Sequence, residues 1–163
     1  MDYLWTPWRY RYIADPHKDE GCIFCNAVAL NDDEKMLIVL RGAKCYVILN
    51  LFPYTSGHVM VVPYAHVADL AAVEQDTLAE MMTLAQRAKR ALEVTYHPDG
   101  YNLGMNLGRA AGAGVAGHIH LHVLPRWSGD ANFMTVVSET RVEPEDLPTT
   151  YAKLKKAFDA QAK

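Results

Sequence analysis

Cysteine is scarce in this chain: three residues in 163 do not make a disulfide framework. That excludes a disulfide-stapled scaffold, and a cytosolic (cytoplasmic) address is the default expectation. No apolar run approaches the roughly 20 residues that cross a bilayer, so no membrane span is expected. The amino terminus, Met1-Asp2-Tyr3-Leu4-Trp5, lacks a basic region followed by an apolar segment, so no signal peptide is expected either. Positive charge is not in excess: 16 Lys and Arg stand against 19 Asp and Glu, a net charge of −3. This gives no support for a nucleic-acid-binding surface. Repeats and dividing linkers are also missing. What remains is an ordinary globular balance, 50% apolar and 21% charged, long enough to bury a core. A single domain over 1–163 is expected, with an aromatic arm at 1–21, a core at 22–127 and a C-terminal extension at 128–163.

Against that plain background, one stretch stands out: Gly117-His118-Ile119-His120-Leu121-His122-Val123-Leu124-Pro125. A strand sends alternate side chains to opposite faces, so His118, His120 and His122 share a face and Ile119, Leu121 and Val123 share the other. Adjacent histidines are then roughly 6.5–7 Å apart, too far for direct ring-to-ring hydrogen bonds. Single histidines on strands are usually packed or surface residues, but three in strict alternation call for chemistry. Two chemistries remain open on the pattern alone: reactive imidazoles, or a three-histidine metal site.

Immediately upstream lies Gly108-Arg109-Ala110-Ala111-Gly112-Ala113-Gly114-Val115-Ala116-Gly117. Such a glycine-rich loop can turn backbone N–H groups toward an anion, which would place phosphate-holding amides beside the histidines. Arg109 is either a phosphate partner or a solvated side chain. Near the start, Cys22-Ile23-Phe24-Cys25 reads as a redox pair or as half of a metal site. No strand precedes it, as a thioredoxin-like pair would require. Zinc is therefore favoured, with His66 and the histidine stretch available as further ligands.

The remaining chain supplies a scaffold. Strands are expected at Met36–Leu40 and Cys45–Leu49 around a turn at Gly42, and again from His58 to Pro63. Asp69 is a candidate N-cap for one long helix over about 70–96, with Leu70, Val73, Leu78, Met81, Ala85, Ala88 and Leu92 on its apolar face. A strand follows at Tyr101–Leu107. Pro125 is expected to stop the histidine strand. A terminal helix begins near Pro148, with Leu154, Ala157 and Phe158 inward. The class is α+β: an antiparallel sheet of about five strands, one long helix and a C-terminal helix. Cys45 is expected to be a buried strand residue. Aromatic and basic residues of the arm, Trp5, Trp8, Arg9 and Tyr10 among them, are expected to pack.

The stretch His118-Ile119-His120-Leu121-His122-Val123-Leu124 resembles the motif of the histidine triad (HIT) family of nucleotide hydrolases and transferases. Upstream, Asn50…Pro53…Gly57-His58-Val59…Val62-Pro63 is similar to that family's ribose-binding residue, loop and first active-site histidine. The flanks Leu4-Trp5-Thr6-Pro7-Trp8-Arg9 and Pro125–Met134 are similar to the branch of bacterial diadenosine tetraphosphate phosphorylase-like proteins, and more broadly to fragile-histidine-triad-like proteins. The resemblance implies a HIT-like fold. It also implies an enzyme that cleaves adenosine polyphosphates at the α-phosphate through a covalent AMP–histidine intermediate, with phosphate or water as acceptor. His120 would be the nucleophile, with His118, His122 and His58 around the phosphate. Asn50 would bind ribose. Asn106, Gly112, Gly114 and Trp127 complete the implied substrate-binding set. Cys22, Cys25, His66 and His118 occupy positions that hold structural zinc in some members. No organic cofactor is expected, and members commonly pair as homodimers. One departure stands out: many relatives carry Gln-Ser or Gln-Thr where this chain has Gly114-Val115, so contacts there fall to backbone amides. The alternatives are a non-catalytic nucleotide sensor, an AMP-phosphoramidate hydrolase and a metal-dependent hydrolase. Imidazole suits the first reading physically. With a pKa of about 6.5 it is largely neutral at pH 7 and keeps a free lone pair.

Overall fold

The computed structural model describes residues 21–130 and 145–161. The expected packing of the aromatic arm and the short apolar run at 135–137 lie outside them. Five strands form one antiparallel sheet: β1 (Ile38–Arg41), β2 (Cys45–Leu49), β3 (Val59–Pro63), β4 (Gly100–Gly104) and β5 (Leu121–Arg126), in the order β1-β2-β3-β5-β4. Helix α1 (Ile23–Ala29) precedes them, α2 (Gln75–Tyr96) links β3 to β4, and α3 (Leu147–Ala160) closes the described chain. The α+β arrangement expected from the sequence is the one observed.

Alternation along the strands divides the core in two. Val47, Leu49, Val59, Val61, Leu121 and Val123 turn toward α2, where Met81, Leu84, Ala85, Ala88, Ala91 and Leu92 meet them. Phe158 and Leu154 of α3 join the same cluster. Tyr46, Ile48, Met60 and Val62 face the other way and are covered by Phe24 and Ala27 of α1. The register Met60↔His122 puts the triad on this second face. The α2 side of β5 is thus a hydrophobic anchor, and the α1 side is free to carry polar rings.

Several boundaries differ from expectation, for local reasons. The histidine strand begins at Leu121 and not at His118: the Ile119 N–H goes to the Val67 carbonyl, past the end of β3, so of the triad only His122 lies within a strand. The long helix begins at Gln75, not near residue 70. Asp69 does cap, but its carboxylate takes the Ala71 N–H of a separate 3-10 turn, Leu70–Ala72. Val73 is then extended, and the Glu74 carboxylate pairs with Lys44 instead of capping α2. Strand β1 starts two residues late. Met36 and Leu37 donate to Asp32 and Glu34 in a helical turn, and Leu37 has a φ of 60°. Strand β4 ends at Gly104, where the glycine loop takes over. Pro125 does not stop β5, which pairs through it to Arg126. The last β3–β5 pair is Val59↔Val123, and the Pro125 carbonyl accepts from Thr55 Oγ1 on the β3 side. Carbonyl and nitrogen of one strand residue point the same way, so the absent N–H falls where no strand partner needs it.

Gly57 is the glycine whose conformation the site depends on. Its φ is +82°, and a Cβ built there lies 2.9 Å from Leu92 Cδ2 and 3.1 Å from Tyr96 Cε2. Gly57→Ala is expected to cost roughly 1–3 kcal/mol, the usual range for backbone strain of this kind, with steric shift added. Urea unfolding of the two proteins measures it; equal midpoints would refute the expectation.

Candidate active site

His58 and His122 meet across the β3–β5 pairing, with His58 Nε2 2.9 Å from His122 Nδ1. Their protonation follows from fixed neighbours, because at most one ring nitrogen of a neutral imidazole donates. The Tyr54 N–H donates to His58 Nδ1 at 3.1 Å. His58 Nδ1 is therefore the acceptor, and Nε2 carries the hydrogen that His122 Nδ1 accepts. His122 is left with its hydrogen on Nε2, a buried atom. The chain of bonds ends in one N–H donor that has no partner among the described residues.

His120 is set the opposite way. Its Nδ1 lies 2.9 Å from the His118 carbonyl, which can only accept, so Nδ1 carries the hydrogen and Nε2 keeps the lone pair. The His120 and His122 rings are edge to face with centroids 4.8 Å apart. A lone pair and an N–H donor thus stand side by side. All three rings are buried: 1% exposed for His58, 5% for His120 and 7% for His122. Burial drives the His58 pKa down to about 3, with the His122 and His120 charges adding to it. Burial also takes His122 down to about 4, helped by His120. His120 is lowered by burial, opposed by its bond to the His118 carbonyl. At pH 7 the cluster is neutral, as a nucleophilic imidazole requires.

The third triad ring turns elsewhere. His118 Nε2 lies 2.9 Å from the Pro63 carbonyl, which fixes its hydrogen there and frees the Nδ1 lone pair. Nδ1 is 3.3 Å from Cys22 Sγ and 3.7 Å from Cys25 Sγ, and Cys25 Sγ is 3.4 Å from His66 Nδ1. All four donor atoms lie within 4.8 Å of one another. Four such ligands around tetrahedral zinc would sit about 3.4–3.8 Å apart, given the usual Zn–S and Zn–N lengths. The donor set and its spacing fit that ion. Helix α1 makes this possible by starting at Ile23, so that Cys22 and Cys25 stand on its first turn.

The HIT domain family model matches residues 32–129 of this chain. The chain belongs to the HIT family. This HIT chain is 42% identical over 158 residues to an AP-4-A phosphorylase of Mycobacterium tuberculosis, a match covering 92% of this chain and 80% of the relative. It is 36% identical over 109 residues to an uncharacterized HIT-like protein of the same organism, covering 67% and 74% of the two chains. Among solved structures, a Zn-bound histidine triad family protein from Mycobacterium smegmatis superposes with a TM-score of 0.72 at 33% identity, covering 87% of this chain and 96% of that one.

The other implied site residues of this HIT domain are placed as follows. Asn50 stands beside His58, with Nδ2 3.3 Å from His58 Nδ1 and Oδ1 accepting from the Phe52 N–H. Asn106 is half-buried, in the irregular segment two residues beyond the last β4–β5 pair, Gly104↔His122. Gly112 has a φ of +88° and donates its N–H to the Arg109 carbonyl, so that amide is engaged inside the loop. Gly114 is exposed in the same loop. Trp127 packs edge to face on Tyr96, one residue past the end of β5. Two residues near the histidines escaped the sequence reading. Phe24 lies between the two cysteines in sequence and sets its ring 5.0 Å from His120 and 5.4 Å from His118. Its apolar place inside the C-x-x-C was the available signal. Tyr54 lies against His58 and His122. Only its nearness to His58 in sequence could have pointed to it.

Proposed function

We propose that this chain is a HIT-family enzyme that cleaves adenosine polyphosphates of the diadenosine tetraphosphate kind at the α-phosphate, with phosphate as the acceptor. The observation that carries the reading is the fixed pair of tautomers: the lone pair of His120 Nε2 beside the N–H of His122 Nε2. The 42% identity to an AP-4-A phosphorylase supports the substrate class. In the first step His120 Nε2 attacks the α-phosphorus. A P–N bond forms, the bond to the bridging oxygen breaks, and its electron pair leaves with ATP. The His122 N–H donates to a non-bridging oxygen as charge gathers there. A phosphate oxygen then attacks the same phosphorus, the P–N bond breaks, and ADP departs with His120 neutral again. Polyphosphate is a stable anion, so its departure needs no proton from the neutral histidines.

Product analysis with diadenosine tetraphosphate tests this. ATP and ADP are expected with inorganic phosphate present. AMP as the product whether or not phosphate is added would make the enzyme a hydrolase. Tight binding with no turnover would make it a sensor.

Two structural roles accompany the proposal. Cys22, Cys25, His66 and His118 would hold zinc as a structural ion that ties α1 to the triad. Strand β4 would pair with a second copy, supported by its place at the sheet edge, by Leu103 at 46% exposure and by open space beside Gly100 and Gly104.

A further inference from the structure

Tyr54 presents an unusual combination. It is 44% exposed, yet it is tied to the most deeply buried ring of the site. Its ring centroid lies 4.8 Å from that of His58 and 6.0 Å from that of His122, nearly parallel to the latter at 28°. The same residue gives its backbone N–H to His58 Nδ1. One residue therefore covers the pair with its side chain and orients it with its main chain.

The loop that carries it is held from several sides. Asn50 Oδ1 accepts the Phe52 N–H two residues on, a local turn that fixes the entry. Thr55 Oγ1 donates to the Pro125 carbonyl and ties the loop to β5. The His58 N–H returns to the Thr55 carbonyl, and the Asn50 N–H bonds to the His58 carbonyl. Pro53 limits the backbone just before Tyr54. The tyrosine ring is thereby placed by the loop and not by its own packing alone.

We propose that Tyr54 is a positioning residue for the phosphate-facing histidines. Its ring keeps water off the His58–His122 pair, and its amide holds that pair in the single tautomer that leaves the His122 Nε2 hydrogen free for the substrate. The groups facing the pair are accounted for. His58 meets Asn50 and Tyr54 from the loop and His122 from β5, and it feels His120. His122 meets His58, His120 and Tyr54. Among the described residues, no carboxylate, lysine or arginine is hydrogen-bonded or ion-paired to either ring. Exclusion of water is therefore the dominant influence on their protonation, and Tyr54 is a side chain in ring contact with both of them.

The proposal rests on the catalytic reading, but its first test needs no substrate. Proton NMR of the ring hydrogens in the substrate-free protein follows each titration. Burial holds both midpoints low, so admitting water raises them. Tyr54→Ala is expected to lift the His58 and His122 midpoints by about one pH unit or more, while Tyr54→Phe leaves them near wild type. Coincident titrations for Tyr54→Ala and wild type would overturn the proposal whether or not the protein turns over any nucleotide. Should the alanine variant not fold, Tyr54→Val uncovers the rings in part, and an unchanged titration there would overturn the proposal equally. With diadenosine tetraphosphate, Tyr54→Ala is expected to lose about tenfold in kcat with little change in KM, and the acid limb of its pH profile moves upward. If Tyr54→Phe lost as much kcat as Tyr54→Ala, the hydroxyl and not the ring would carry the effect, and the covering role would be wrong.

Discussion

His120→Ala is expected to lower turnover of diadenosine tetraphosphate by roughly 10³–10⁶-fold, the range for removing a covalent nucleophile. Of the three buried imidazoles of the candidate site, this one has a ring-nitrogen lone pair, on Nε2, that accepts no hydrogen bond among the described residues. His58 and His122 each give an Nδ1 lone pair to an N–H donor. The loss should be chemical and not structural. His120 contributes one hydrogen bond, to the His118 carbonyl, worth about 1 kcal/mol in net stability. The triad strand keeps its hold through Ile119, Leu121 and Val123 on the opposite face. Rapid quenching of wild type with labelled substrate should trap AMP on the protein, and the alanine variant should trap none. A variant that kept half its rate would end the covalent mechanism, and with it the assignment of His120.

The second large effect concerns the cysteine–histidine cluster. Purified protein is expected to carry about one zinc per chain, and Cys22→Ser with Cys25→Ser to carry none. A ligand at a thousand times its Kd stabilises the fold by about 4 kcal/mol. For a chain of this size that corresponds to about 8–16 °C in Tm. A chelator should lower the Tm of wild type by that order and leave the double serine variant unmoved. The effect has a clear structural route. The ligands come from α1, from the segment after β3 and from the triad, so the ion would join three otherwise separate parts of the chain. Elemental analysis finding no zinc in protein prepared without chelator would remove this reading.

Much of this was visible in the sequence, for reasons that differ from residue to residue. The triad could be read because a period of two is rigid: once Ile119, Leu121 and Val123 are buried, the histidines have one face left. Strand β2 was read to the residue, since Cys45–Leu49 is an unbroken apolar run with a turn before it. That Cys22, Cys25, His66 and His118 come together was legible from the donor types and the family likeness. Other features depend on bonds between distant segments. Nothing in the string shows that the Pro63 carbonyl takes one nitrogen of His118 and thereby turns the other to the cysteines. The start of α2 was misplaced because Asp69 is a good cap and does cap, but it caps a shorter turn. Tyr54 and Phe24 were missed because an aromatic residue carries no mark of which ring it will touch.

Length, finally, is tolerated very unevenly on the two sides of the triad. Between β4 and β5 the stretch 107–112 is exposed, and there is open space beside Gly108 and Gly112, although both have positive φ. A residue added or removed there leaves both strands in register. Within Leu121–Val123 a single insertion would exchange the two faces of the strand on one side of it. Histidine would be driven against Met81 and Leu84, while leucine and valine took its place in the site. Reading frame and chemistry are one property in that stretch, so drift in length belongs to the loop and is barred from the strand.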